Sequence, residues 1–244
     1  MLSLFCPTPS KMKSRIKQWL SIAITLLATA PALAEPVRLM THDLPPYSYL
    51  NEEQRPAGLA IQPVTCALNA MQQPYEISFV PWARAQHLVK QGKADAFFAA
   101  SYSAEREQYA KLSAQIAPQQ WHWYLLKDNP KNPRSPQFKR TATVGGFSGG
   151  NMTDWLHSNN YQVMANPANN SQLLKMLLAE RIDAILANQL VMNALLKETA
   201  SESKVRSVLE QDKPLGVYFS DQFLSQQAGD FMLRFNQALG RCRA

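Results

Sequence analysis

Residues 145–150 read GGFSGG, and Gly146-Phe147-Ser148-Gly149-Gly150 has the G-x-S-x-G spacing of a nucleophile elbow. Hydrolysis on such an elbow needs a histidine as general base, far downstream in the usual order. His157 is the last histidine of the chain and stands nine positions on, in the adjoining helical pattern, where it is poorly placed for that role. No Lys-Ser/Thr follows the glycines, which removes a P-loop as well. What remains is a strand-to-helix turn whose free N–H groups suit an anion or polar ligand atoms, or a tight turn that binds nothing. Ser101 and Arg106 are five apart in SYSAEREQYAKLS (101–113), so both can reach one carboxylate, the arginine as a charge-assisted fork. A surface salt bridge is the plain alternative for Arg106. Tyr47 and Tyr49 in the proline-stiffened PPYSY (45–49), and Trp82 at the head of a helical pattern, offer aromatic walls for a ligand. Core packing explains any one of these rings equally well. His42, His87, His122 and His157 are scattered without metal-ligand spacing, so neither a metal nor another cofactor is expected.

The elements that must position these residues alternate. Strand patterns fall at 37–41, 75–80, 94–99, 121–126, 141–145, 161–164, 182–187 and 216–219. Helical patterns fall at 58–71, 81–92, 150–158, 170–180, 188–198 and 221–239, the last with one apolar face. Pro63 sits early in the first of them, where a proline costs least. The locally basic KDNPKNPRSPQFKR (127–140) reads as an exposed loop. This alternation implies α/β architecture with largely parallel sheets.

One device is written twice. LVKQGKADAFFAA (88–100) and MLLAERIDAILAN (176–188) superpose without a gap as helix end, turn, Asp, buried strand and strand end. Each copy reads as one β–α–β unit of a separate sheet. Ligands sit at the carboxyl ends of strands in open sheets. Ala100-Ser101 and Asn188-Gln189 are therefore expected at equivalent edges of two lobes, facing a cleft.

The first 34 residues read as an export signal. Lys11, Lys13, Arg15 and Lys17 precede the apolar SIAITLLATA (21–30) and Ala32-Leu33-Ala34, so cleavage is expected before Glu35, with a signal anchor as the alternative. Met12 serves as well as Met1 for the start. The chain carries a formal charge of +7, and loss of those four cations brings the mature part to +3. No Lys/Arg cluster in it demands nucleic acid. Two of the three cysteines, Cys66 and Cys242, remain. An even count in an exported chain favours a disulfide, worth ~4–5 kcal/mol for a loop of about 175 residues, against two free buried thiols as the alternative.

Taken in order, the strand, PPYSY, the GLAI helix, WAR…GKADA, SAER, WHWYLLK, VGGFSGG, ERIDAILAN and GVYF resemble the family 3 solute-binding proteins, periplasmic receptors for polar amino acids and related compounds. The similarity spans essentially the whole mature chain. It implies the type II two-lobed fold: two α/β lobes, two hinge crossings and a ligand cleft between them, with lobe 1 at 35–119 plus 216–244 and lobe 2 at 120–215. Both cysteines then lie on helices of lobe 1. By the same resemblance, Tyr47 matches the aromatic that stacks on the ligand, and Ser101 and Arg106 match the groups holding an α-carboxylate. Gly149, Gly150 and Asn151 match the backbone-donor turn of lobe 2, and Trp82 matches a frequent aromatic. Asn188 falls where many members carry an Asp for the α-ammonium. A monomeric, exported receptor for a small polar ligand is implied, with an ABC-type permease or a sensor as membrane partner and no covalent chemistry. A dehydratase on the same fold and a sensor without transport are the alternatives.

Overall fold

The computed structural model describes residues 35–227 and 229–242; the expected signal segment lies outside the described residues. In the first lobe the chain runs through β1 (Val37–Thr41), a short hairpin of β2 (Tyr49–Leu50) and β3 (Pro56–Ala57), and α1 (Ile61–Ala70). It continues through β4 (Tyr75–Phe79), α2 (Trp82–Lys90), β5 (Ala96–Ser101) and β6 (Ala110–Leu112). It then crosses to the second lobe: β7 (Gln120–Leu126), α3 (Pro136–Thr141), β8 (Thr143–Gly145), α4 (Asn151–Ser158) and β9 (Gln162–Ala165). There follow α5 (Asn170–Leu178), β10 (Ala184–Asn188), α6 (Gln189–Glu198) and β11 (Val205–Asp212). The chain returns through β12 (Leu215–Ser220) and ends with α7 (Asp221–Gln226) and α8 (Phe231–Cys242).

The two sheets are ordered β4-β1-β5-β12-β6 and β9-β8-β10-β7-β11. They are copies of one plan, with β5 and β10 in the equivalent central position. Every residue of β5 and of β10 is buried, which is why both read as continuous apolar runs. The Asp ahead of each strand explains the duplicated device. The Asp95 carboxylate accepts from the Arg38 backbone N–H at 2.8 Å and from its guanidinium at 2.7 Å. The Asp183 carboxylate accepts from the Thr143 N–H at 2.8 Å and from the Lys131 ammonium at 2.7 Å. Each carboxylate thereby pins the neighbouring parallel strand, far from the strand ends that meet the cleft. Burial pushes the Asp183 carboxyl up, but the hydrogen bonds from Lys131 and Thr143 and the Lys131 charge together outweigh it and hold the group below its ordinary range.

Four expectations are corrected. The sheets are mixed rather than largely parallel: β12 pairs antiparallel with β5 and β6, and β7 with β10 and β11. The 127–140 segment is not all loop, because α3 forms behind Ser135, whose side chain accepts from the Gln137 N–H, and buries Phe138. Ser-Pro at the cap and first helical position was the signal. The 221–239 pattern is two helices, α7 and α8, parted around Gly229-Asp230, residues that end and start helices. Finally, β11 pairs along the outer edge of β7 although VRSVLEQD suggested no strand; an edge strand that faces water has only a weak apolar alternation.

The chain crosses between the sheets twice, after β6 and after β11, and the crossings are tied together. Lys213 N–H donates to the Gln119 carbonyl at 2.8 Å and Leu215 N–H to the Ala117 carbonyl at 2.9 Å. α1 and α8 pack together and are joined by a disulfide between Cys66 and Cys242.

Candidate functional site

The carboxyl ends of β1, β5, β8 and β10 converge on one cleft, since side chains just past them line a shared pair of cavities. The inner cavity, about 50 Å³, is lined from the first lobe by His42, Trp82, Ser101 and Arg106, and from the second by Gly150, Asn151 and Asn188. It has room for one small group. An outer cavity of about 640 Å³ continues from it past His42, Trp82 and Phe147, with Phe79, Val80, Val191 and Leu195 among its apolar walls.

A backbone kink delivers Ser101. Ala99 takes a left-handed φ of +61°, at an irregularity in the pairing of β5 with β12 between Gly216 and Val217. An alanine rarely adopts that conformation, and bulges of this kind re-aim the residues that follow. Ser101 Oγ accepts from Asn151 Nδ2 at 2.8 Å, and the same nitrogen reaches the Tyr102 carbonyl at 3.2 Å. The lobes are therefore in contact through Asn151. Val191 of α6 packs into the first lobe's core cluster and extends that contact.

Arg106 is buried, and its partners hold it without neutralising it. Nε donates to Gln86 Oε1 at 2.8 Å and Nη1 to the Ser101 carbonyl at 3.1 Å. The guanidinium carbon lies 5.1 Å from the Trp82 ring centre and 5.9 Å from that of Phe97. No carboxylate among the described residues is within ion-pair distance of it, and Nη2 has no hydrogen-bond partner there. Burial pushes its pKa down, although it remains a cation at any ordinary pH.

Asn188 ends β10 and caps α6. Its Oδ1 accepts from the Leu190 N–H at 3.1 Å and from the Val191 N–H at 3.4 Å, while Nδ2 is buried with no partner. Gly150 caps α4, and the left-handed φ of +71° at Gly149 lets the preceding turn close. The Asn151 and Met152 N–H groups, at the start of α4, have no acceptor among the described residues. Gly149 itself lines neither cavity. Nor does Tyr47, which is fully buried and donates through its hydroxyl to the Pro118 carbonyl at 3.0 Å. Burial pushes the Tyr47 pKa up to about 12, against a smaller opposing pull from the Asn188 amide; no bond of acceptable length and angle joins the two side chains.

The structure thus gathers Trp82, Ser101, Arg106, Gly150, Asn151 and Asn188 around one cavity and sets Tyr47 and Gly149 outside it. Sequence reasoning missed His42, Gln119 and Asn170, which line the same space. For His42 the signal was available, because it follows the first strand at its carboxyl end.

His42 packs against Trp82 with ring centres 4.5 Å apart, and its Nδ1 is buried without a partner. Burial and then the nearby Arg106 charge push its pKa down to about 4, so the folded protein holds a neutral ring. The folded pKa lies below the ordinary value of 6.5, so this stabilisation is full above about pH 6.5 and is lost as pH falls toward 4. Urea unfolding of wild type should lose about 3 kcal/mol more between pH 7 and pH 4 than His42→Phe does. Equal losses in the two proteins would contradict the burial of a neutral ring.

Residues 37–133 match the family model described as bacterial extracellular solute-binding proteins, family 3. No curated protein matches the sequence. Among solved structures, a histidine kinase sensor domain with similarity to periplasmic binding proteins aligns with a TM-score of 0.74 at 16% identity, over 86% of this chain and 91% of that one. An ABC uptake transporter substrate-binding protein from Streptococcus pneumoniae with bound histidine gives a TM-score of 0.71 at 13% identity, over 85% and 87%. The arginine-, lysine-, histidine-binding protein ArtJ from Geobacillus stearothermophilus gives 0.69 at 14% identity, over 85% and 89%. At these identities the likeness is one of fold. Residues 37–133 carry the signature of the family 3 solute-binding proteins, and the described chain has the two-lobed fold of periplasmic binding proteins.

Proposed function

We propose that this protein is an exported, monomeric receptor that holds a small carboxylate-bearing ligand between its lobes. The observation that carries the reading is Arg106, a buried guanidinium with unpaired donors at the cleft and no acidic neighbour in ion-pair distance. A buried cation is stable when a counter-charge meets it, and an anionic ligand supplies that charge. Ser101 and the free N–H groups at the start of α4 supply further donors, one set from each lobe. Ligand bridging both sets favours the closed arrangement, with the 113–119 and 213–214 crossings as the hinge between a lobe of 35–119 plus 216–244 and a lobe of 120–215.

Delivery to an ABC-type permease is the use that the amino-acid-binding fold relatives suggest. The sensor-domain relative supports a second use, ligand sensing through a separate membrane partner. No covalent step belongs to this reading: the inner cavity is lined by no carboxylate, and its imidazole, His42, packs on Trp82 with no hydrogen-bonded group to orient it as a base. A thermal-shift screen of amino acids, other carboxylates and amines tests it. Stabilisation by carboxylates alone or by amino acids is expected. Stabilisation by amines that lack a carboxylate would overturn it.

A further inference from the structure

The inner cavity is rich in unpaired donors. Around it stand the Arg106 guanidinium, the Asn188 Nδ2 and the Asn151 and Met152 N–H groups, beside the neutral His42 ring, which offers one donor and one acceptor nitrogen. Four acceptors around the cavity are already engaged, while the side-chain oxygens of Asn151 and Asn170 accept no hydrogen bond among the described residues. Asn188 Oδ1 takes two backbone N–H groups, Ser101 Oγ takes Asn151, the Ser101 carbonyl takes Arg106, and Gln119 Oε1 takes the Trp121 indole at 3.1 Å. The orientation of the Asn188 amide is fixed by chemistry, because only its oxygen can cap the N-terminus of α6. Turning that oxygen toward a ligand would uncap the helix and aim an N–H₂ group at backbone N–H donors. The acidic groups that line the two cavities, Asp43 and Glu198, belong to the outer one and are exposed to water.

An α-ammonium brings three donors and needs acceptors. At Asn188 it would meet an unpaired donor, with the buried Arg106 cation on the same cavity. An oxygen on the same carbon would instead accept from Asn188 Nδ2, which is otherwise buried and unsatisfied. We infer that Asn188 is a specificity-determining residue, and that the ligand is a 2-hydroxy- or 2-oxocarboxylate rather than an α-amino acid. Its carboxylate lies on Arg106, its 2-oxygen lies on Asn188 Nδ2, and its side group extends into the mostly apolar outer cavity. This inference rests on the carboxylate-receptor reading above. Asp at position 188 reverses the polarity of the free atom while keeping the cap, since one carboxylate oxygen holds the α6 N–H groups and the other faces the cavity.

Matched acids test it: leucine, 2-hydroxy-4-methylpentanoate and 4-methyl-2-oxopentanoate; phenylalanine, phenyllactate and phenylpyruvate; alanine, lactate and pyruvate. Each is titrated calorimetrically into wild type and Asn188→Asp, with melting curves to show that both are folded. In at least one set, wild type should bind the 2-oxygen acid at least tenfold tighter than the amino acid, and Asn188→Asp should reverse that order. An Arg106-dependent preference of wild type for the amino acid would overturn the inference and leave the carboxylate reading standing. A wild-type preference for the 2-oxygen acid that Asn188→Asp leaves unchanged would overturn the role given to Asn188. Binding of none of the acids, or binding that Arg106→Met leaves unchanged, would overturn the carboxylate reading and the inference with it.

Discussion

Replacing Arg106 with Met is expected to weaken carboxylate binding about a thousandfold while leaving the melting temperature of the free protein unchanged or higher. The two effects have separate causes. Truncating one partner of a buried, hydrogen-bonded charge pair costs 2–5 kcal/mol or more in binding, so about three orders of magnitude is the central expectation. In the free protein the same guanidinium is buried with hydrogen bonds to Gln86 and Ser101, aromatic faces on Trp82 and Phe97, and no counter-charge in reach. Burying a cation on such terms costs desolvation that a methionine of similar length avoids. Two hydrogen bonds are lost in exchange, at about 1.5–3 kcal/mol each. Titration calorimetry and melting curves on the same preparations read both quantities. A residue that merely braces the fold would show the opposite pattern, with a lowered melting temperature and unchanged affinity.

Joint replacement Cys66→Ser and Cys242→Ser should lower the unfolding free energy by about 5 kcal/mol, the chain-entropy value for a cross-link spanning 176 positions. The residues it joins lie on α1 and α8, whose buried faces include Val64, Ala67, Leu68, Phe235 and Leu239. Neither cysteine lines the cleft, so affinity in the folded state should be unaffected. Denaturant unfolding of the variant against oxidised wild type checks the first point and calorimetry the second. A loss below about 1 kcal/mol would mean that the packing of α1 on α8, rather than the bond, holds the ends of the first lobe together.

The parts of the fold that were legible in the sequence are those where burial and local pattern agree. β5 and β10 are buried on both faces and announce themselves as apolar runs, and the repeated Asp before them marks the pin to the next strand. β11 was invisible because its pairing to β7 is imposed by the rest of the sheet and its own residues alternate only weakly. The pairing directions of β7 and β12 were missed for a related reason: the strand pattern of a buried run is the same in either direction.

At the candidate site, spacing brought out Ser101, Arg106 and Asn188, because all three lie at or just after the carboxyl end of a central strand. Tyr47 shows the limit of that logic. It follows β1 by six positions, yet the loop folds back and places its ring in the core beneath the crossing at Pro118. The contact between lobes through Asn151 was equally out of reach, since it depends on how closely the two sheets approach.

The most direct measurement of the central claim is a crystal structure of the protein with its strongest-binding carboxylate. The account predicts a carboxylate oxygen within hydrogen-bonding distance of the Arg106 guanidinium, in the space bounded by Ser101, Gly150 and Asn188. A ligand seated outside the cleft, for example in the cavity beside Lys131 and Asp183 at the far end of β10, would contradict it.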